Sequence, residues 1–241
     1  MNTLYAFGCS FTDWTYYKNY CIYDKGLISG TESGFTEEQH WVSKLATELG
    51  MKWVNNGDAG TSNESILRKF YKSKHLFKEG DVIILQSTFG ERVTMHHSPT
   101  DEMIHLAGPL DQIGQWWKKE PWADDSRFIK LVNDYIVLYN IPRFTLSTMY
   151  QAFPIISEWC EMKGIKILFW GLDDYQNSPY LFKAPNGKGW MNWIDESNLT
   201  IYDELGNDDS PRPDHIRPSN DNHLSRVGFD VIVKLFLSEL R

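Results

Sequence analysis

The sequence predicts the α/β class, a three-layer α/β/α domain on a parallel sheet of about five strands. Three observations predict it. Short β-compatible apolar runs alternate with stretches of helical spacing, which implies right-handed crossovers and parallel pairing. One run, Val82-Ile83-Ile84-Leu85, is apolar at every position, as a strand covered on both faces must be. No repeat, low-complexity tract or flexible linker interrupts the chain, so residues 1–241 read as a single domain.

The elements follow in order. Thr3-Leu4-Tyr5-Ala6-Phe7 is a first strand that runs into Gly8. Trp41, Leu45 and Leu49 lie four apart, which predicts a helix over 37–49, stopped by Gly50. Lys52-Trp53-Val54-Asn55 is a second strand, and a helix capped by Ser62 or Asn63 runs to about Lys74. The third strand is Val82–Leu85. Residues 90–124 hold His96, His97, His105, several prolines and Trp116, Trp117 and Trp122 without clean periodicity, and read as an insertion or lid. Two helices fill 125–163, broken near Ile141-Pro142 because proline lacks a donor and restricts its predecessor. Ile165–Trp170 is a fourth strand, and a short strand near Leu199–Tyr202 is the fifth. Ile232, Leu235, Phe236 and Leu240 share one face of a closing helix over about 225–240.

Composition bounds the function. Acidic residues outnumber basic ones, 32 against 24, giving a formal net charge of −8. A chain this acidic is a poor candidate for electrostatic capture of nucleic acid or an anionic membrane, which needs a basic face. No apolar run is long enough to span a bilayer, and the N-terminus lacks the basic and apolar regions of a signal peptide. Cys9, Cys21 and Cys160 are odd in number and scattered, which suits a reducing, cytoplasmic compartment rather than a disulfide framework or a zinc site. The spacings of His96, His97, Asp101, Glu102 and His105 match no metal-ligand set, and no metal or organic cofactor is required.

In an open parallel sheet, ligands bind beyond the carboxyl ends of the strands. Those positions here are Gly8-Cys9-Ser10-Phe11-Thr12, Asn55 to Asn63, Gln86-Ser87-Thr88-Phe89-Gly90 and, before the last helix, Asp221-Asn222-His223. The set matches the needs of a serine hydrolase. A serine hydroxyl needs an imidazole to take its proton, the imidazole needs a carboxylate to orient it, and the oxyanion needs aimed donors. Ser10, His223, Asp221 and the Gly60 backbone could fill those roles.

These blocks resemble the SGNH (GDSL-type) hydrolase family. Gly8-Cys9-Ser10-Phe11-Thr12 is similar to its first block, Asn55 to Gly60 to its second, and Asp221-Asn222-His223 through Gly228 to its last. The resemblance spans the chain with the blocks in family order. It implies an SGNH fold, related in layout to flavodoxin-like folds, and a serine esterase acting through an acyl-enzyme on Ser10. His223 would be base then acid, and Asp221 its orienting carboxylate. Ser10 and Gly60, helped by Thr88 or Ser87, would form the oxyanion hole. Asn63, continuing the second block, and Arg92, just past the third strand, are the candidate substrate-binding residues. The implied substrate is a small acyl ester, such as an O-acetylated glycan. The sequence departs from the family in three places. Cys9 replaces an Asp, Gln86-Ser87-Thr88-Phe89 replaces Gly-x-Asn-Asp, and Asp221 lies two rather than three residues before His223.

Other readings stay open on the same residues. Cys9 could pair with a histidine as nucleophile, and Asp214-His215 is a rival acid–imidazole pair. The loop tryptophans, Trp190 and Trp193 among them, suit a partly aromatic cleft or an ordinary core. The altered third block also suits a non-catalytic carbohydrate-binding or assembly protein that keeps an SGNH-like fold.

Overall fold

The computed structural model describes residues 1–20, 36–88, 92–106, 110, 116–138, 142–170 and 226–240. Four strands, β1 (Thr3–Gly8), β2 (Lys52–Gly57), β3 (Val82–Gln86) and β6 (Lys166–Trp170), form a parallel sheet in the order β2-β1-β3-β6. Residues Leu4 to Phe7 of β1 lie opposite Val82 to Leu85 of β3, and β3 lies opposite β6 from Val82–Lys166 to Gln86–Trp170. Every residue of β3 is buried, which is why its sequence shows no polar alternation. β2 is an edge strand and leaves Val54 exposed. The fifth strand expected near Leu199–Tyr202 lies outside the described residues.

Helices cover both faces. α2 (Trp41–Glu48) packs on α6 (Arg226–Leu240) and against β1 and β2, while α3 (Asn63–Ser73) packs on α5 (Pro142–Met162). Ser62 caps α3 by accepting the Ser65 N–H. α4 (Ser126–Leu138) and α5 fall on either side of residues 139–141, where Pro142 starts the new helix. The main core joins Trp41, Trp170 and Phe236 edge to face, and stacks Phe153 on Phe169. A short helix after the first strand, α1 (Trp14–Tyr20), has no counterpart in the sequence reading.

The 90–124 segment contains an antiparallel hairpin, β4 (Val93–His97) with β5 (Glu102–Leu106), separate from the main sheet. It carries a satellite core of Val93, Ile104, Leu106, Leu110, Trp122, Phe128 and Val132. Trp122 is buried there, stacked on Trp117 at 5.9 Å, and Trp117 Nε1 donates to the Leu110 carbonyl. These two tryptophans are therefore packing residues of the hairpin region and do not line an open aromatic cleft. Trp190 and Trp193 lie outside the described residues.

Among the described residues no helix is long and apolar enough to cross a membrane.

Candidate active site

β1 pairs with β2 on one side and β3 on the other, so the strand order reverses at β1, and the carboxyl ends flanking such a reversal are where open parallel sheets bind ligands. Three loops meet there. The first, after β1, is a tight turn in which the Thr12 and Asp13 N–H groups both donate to the Cys9 carbonyl, at 2.9 and 3.0 Å. Ser10 sits within it and is 4% exposed. Trp41 Nε1 donates to the Phe11 carbonyl at 2.7 Å, tying the turn to α2.

The second loop, after β2, is sewn to the first. The Asp58 N–H donates to the Gly8 carbonyl at 3.0 Å, and the Ala59 N–H to Asp13 Oδ2 at 3.1 Å. The Thr61 N–H turns back to the Asp58 carbonyl, and the Ser62 N–H donates to Thr94 Oγ1. Each amide from 58 to 62 is thus engaged except one. The Gly60 N–H has no partner among the described residues. Gly60 has φ 78°, a left-handed backbone that glycine adopts without penalty.

The third loop, after β3, holds Ser87 and Thr88, both fully buried. The Ser87 N–H donates to the Trp170 carbonyl at 2.8 Å, and its hydroxyl lies 3.5 Å from the same oxygen. Thr88 is gripped by Asn63. Its N–H donates to Asn63 Oδ1 at 2.8 Å, and Asn63 Nδ2 donates back to its carbonyl at 3.1 Å. The Thr88 hydroxyl has no partner among the described residues. Asn63 itself is fully buried, so its amide holds the third loop against the second.

Beside Gly60 stands the base of the β4–β5 hairpin. A Cβ added at Gly60 would lie 3.7 Å from the Cβ of His105. Thr94 Oγ1 and His105 Nδ1 are 2.9 Å apart, and His105 Nε2 is 3.5 Å from Asp58 Oδ2, which also pairs with Lys69 at 2.9 Å. The Asp58 carboxylate facing Nε2 favours the imidazole proton on that nitrogen, with Nδ1 then accepting the Thr94 hydroxyl hydrogen. Burial holds the His105 imidazole below its ordinary value. Asp58 opposes that shift, and the charges of Lys69 and Arg92 reinforce it. Arg92, half-buried just before β4, thus borders the same loop.

The remaining expected residues divide cleanly. Ser10, Gly60, Ser87 and Thr88 fall on loops, and Asn63 opens α3, at one end of the sheet. His223 and Asp221, together with the rival pair Asp214 and His215, lie outside the described residues. Cys9 is fully buried, and its sulfur accepts a hydrogen bond from Gln86 Nε2 at 3.2 Å. The other histidines of the insertion are engaged separately, His96 with Asp101 and His97 with Thr100 and Asp125. Among the described residues no cluster of three or more such side chains is gathered to hold a metal ion. Sequence reasoning missed Gln86 and the Asn63–Thr88 clamp. A polar side chain closing an otherwise apolar strand, at Gln86, was the available signal.

No family model matches the chain, and no curated protein sequence matches it. Solved structures do. A protein described as an SGNH hydrolase from Slackia heliotrinireducens is 10% identical, with 100% of this chain and 99% of that one covered, at a TM-score of 0.47. A member of the lipolytic G-D-S-L family from Veillonella parvula is 12% identical over 99% and 97%, at 0.43. A catalytic mutant of an acetylxylan esterase from Geobacillus stearothermophilus is 16% identical over 99% and 93%, at 0.42.

Proposed function

We propose that this chain is a serine esterase that cleaves small acyl esters through an acyl-enzyme on Ser10. The observation that carries the reading is the Gly60 amide, unengaged among the described residues. It stands in a loop whose neighbouring amides are all bonded, and that loop is stitched directly to the turn holding Ser10. A backbone donor kept unengaged at the switch point of a parallel sheet suits a developing oxyanion.

Ser10 attacks the ester carbonyl. His223 takes its proton and later returns it to the leaving alcohol, while Asp221 holds the imidazole in the productive tautomer. The Ser10 and Gly60 N–H groups and the Thr88 hydroxyl receive the charge on the tetrahedral oxygen. Thr88 is preferred to Ser87 because its hydroxyl is unengaged among the described residues, whereas the Ser87 side chain leans on the Trp170 carbonyl. Asn63 acts by fixing Thr88, and Arg92 sits where it can meet an anionic part of the substrate. A serine as enclosed as Ser10 suits a short acyl group such as acetate. An O-acetylated glycan is the natural ester we assign, on the strength of the sequence blocks.

Turnover of p-nitrophenyl acetate tests the reading. The wild type should hydrolyse it with saturation, and Ser10→Ala and His223→Ala should each abolish the enzymatic rate. A Ser10→Ala protein as active as the wild type would refute it.

A further inference from the structure

The esterase reading gives no role to a buried side chain at these strand ends, Gln86. Gln86 ends β3, is fully buried, and reaches across the end of β1. Its Oε1 accepts the Cys9 N–H at 3.2 Å and the Thr12 hydroxyl at 2.6 Å, while its Nε2 donates to Cys9 Sγ at 3.2 Å. The amide therefore grips the Ser10 turn on both sides of the serine, at the residue before it and two residues after it. Gly8 makes this possible. A Cβ there would fall 2.2 Å from Gln86 Oε1 and 2.4 Å from Thr12 Oγ1, so any larger residue would expel the amide.

We infer that Gln86 is the positioning residue of the nucleophile turn, and that its amide supplies the restraint lost where Cys9 stands in place of a carboxylate. The inference rests on the proposal that Ser10 is the nucleophile. The chemistry favours an amide in this position. Two donors converge on Oε1, and the sulfur on the other side is only an acceptor to Nε2, so donor and acceptor faces are both used. A neutral group also avoids burying a charge with no cation bonded to it. Ser10 is then held for attack by contacts that never touch the substrate. Misplacement of a nucleophile by about 1 Å is enough to cost roughly 10²-fold in rate.

The test uses the saturable inactivation of the full chain by a fluorophosphonate, which separates probe binding from attack by Ser10. Gln86→Met keeps the length of the side chain and removes its hydrogen bonds. It should lower the limiting inactivation rate by about 10- to 100-fold while leaving the half-saturating probe concentration unchanged. Gln86→Glu, held as the neutral acid by the same burial, keeps a carbonyl acceptor for the Cys9 N–H and Thr12 hydroxyl and an O–H toward Cys9 Sγ, and should recover most of the rate. Cys9→Ala, which keeps the Oε1 contacts, should lose little. Hydrogen exchange at the Cys9 amide, read on the same proteins, should accelerate in Gln86→Met and recover in Gln86→Glu. A folded Gln86→Met protein inactivated at the wild-type rate would overturn the inference, as would a fall that Gln86→Glu does not reverse. A wild type that the probe never labels would instead overturn the esterase reading. In that case unchanged exchange at Cys9 in Gln86→Met would still refute the anchoring itself.

Discussion

Thr88→Val should make the protein more stable and a poorer catalyst at once. The Thr88 hydroxyl is buried and unpartnered among the described residues, and a buried polar group in that state costs about 1–3 kcal/mol. Valine replaces the hydroxyl by a methyl of similar size, and the Asn63 amide keeps the backbone of residue 88 where it is. A gain of about 1 kcal/mol follows, which for a chain of this size raises the thermal midpoint by roughly 2–4 °C. Loss of an oxyanion donor acts in the other direction, by about 10²-fold in kcat, or about 2.7 kcal/mol at the barrier. The assay pairs differential scanning calorimetry with p-nitrophenyl acetate kinetics on the same preparation. A variant that loses stability, or that keeps wild-type kcat, would show that the hydroxyl is bonded in the folded protein or does not face the reacting carbonyl.

Two further perturbations follow from the same geometry. Gly60→Ala places a side chain in left-handed backbone, at a cost of about 1–2 kcal/mol, while its Cβ meets His105 only at ordinary contact distance. The variant should therefore fold yet lose most of its turnover as the loop relaxes; full activity would remove Gly60 from the oxyanion hole. Acid should destabilise the protein through His40, which is fully buried at the start of α2 and accepts the Val42 N–H at Nδ1. Burial pushes its pKa down to about 3, so between its ordinary value of 6.5 and about 3 the unfolded chain binds the proton more readily. The neutral form's contribution is complete above pH 6.5 and is lost as pH falls, on the order of 2 kcal/mol by pH 5. His40→Asn keeps a cap and cannot titrate, so its urea midpoint should fall less between pH 7.5 and 5; an equal fall would refute the assignment.

The sequence carried the sheet because burial leaves a mark on composition. Val82 to Leu85 are apolar throughout since β3 is covered on both faces, and Ser62 and Pro142 mark helix starts by what they do to backbone hydrogen bonds. Trp14–Tyr20 was harder to see. It is short and largely aromatic, so its pattern is shaped by contacts such as Tyr17 on Phe229 rather than by helical spacing. The hairpin at 93–106 left a faint signal in the alternation of Val93, Met95, Ile104 and Leu106 about the Ser98–Asp101 turn, where Asp101 has φ 56°. At the site, Ser10 and Gly60 were legible because strand ends and glycines are local features. Gln86 and the Asn63–Thr88 clamp were not, because they join residues 77 and 25 positions apart and no local pattern records such a meeting.

Acid-quenched p-nitrophenyl acetate reactions, digested and read by mass spectrometry, test the central claim most directly. The account predicts an acetyl group on the side chain of Ser10 that accumulates within the first turnover and disappears as substrate runs out. Acetyl carried by Cys9 instead, or hydrolysis with no acylated peptide from this turn, would contradict it.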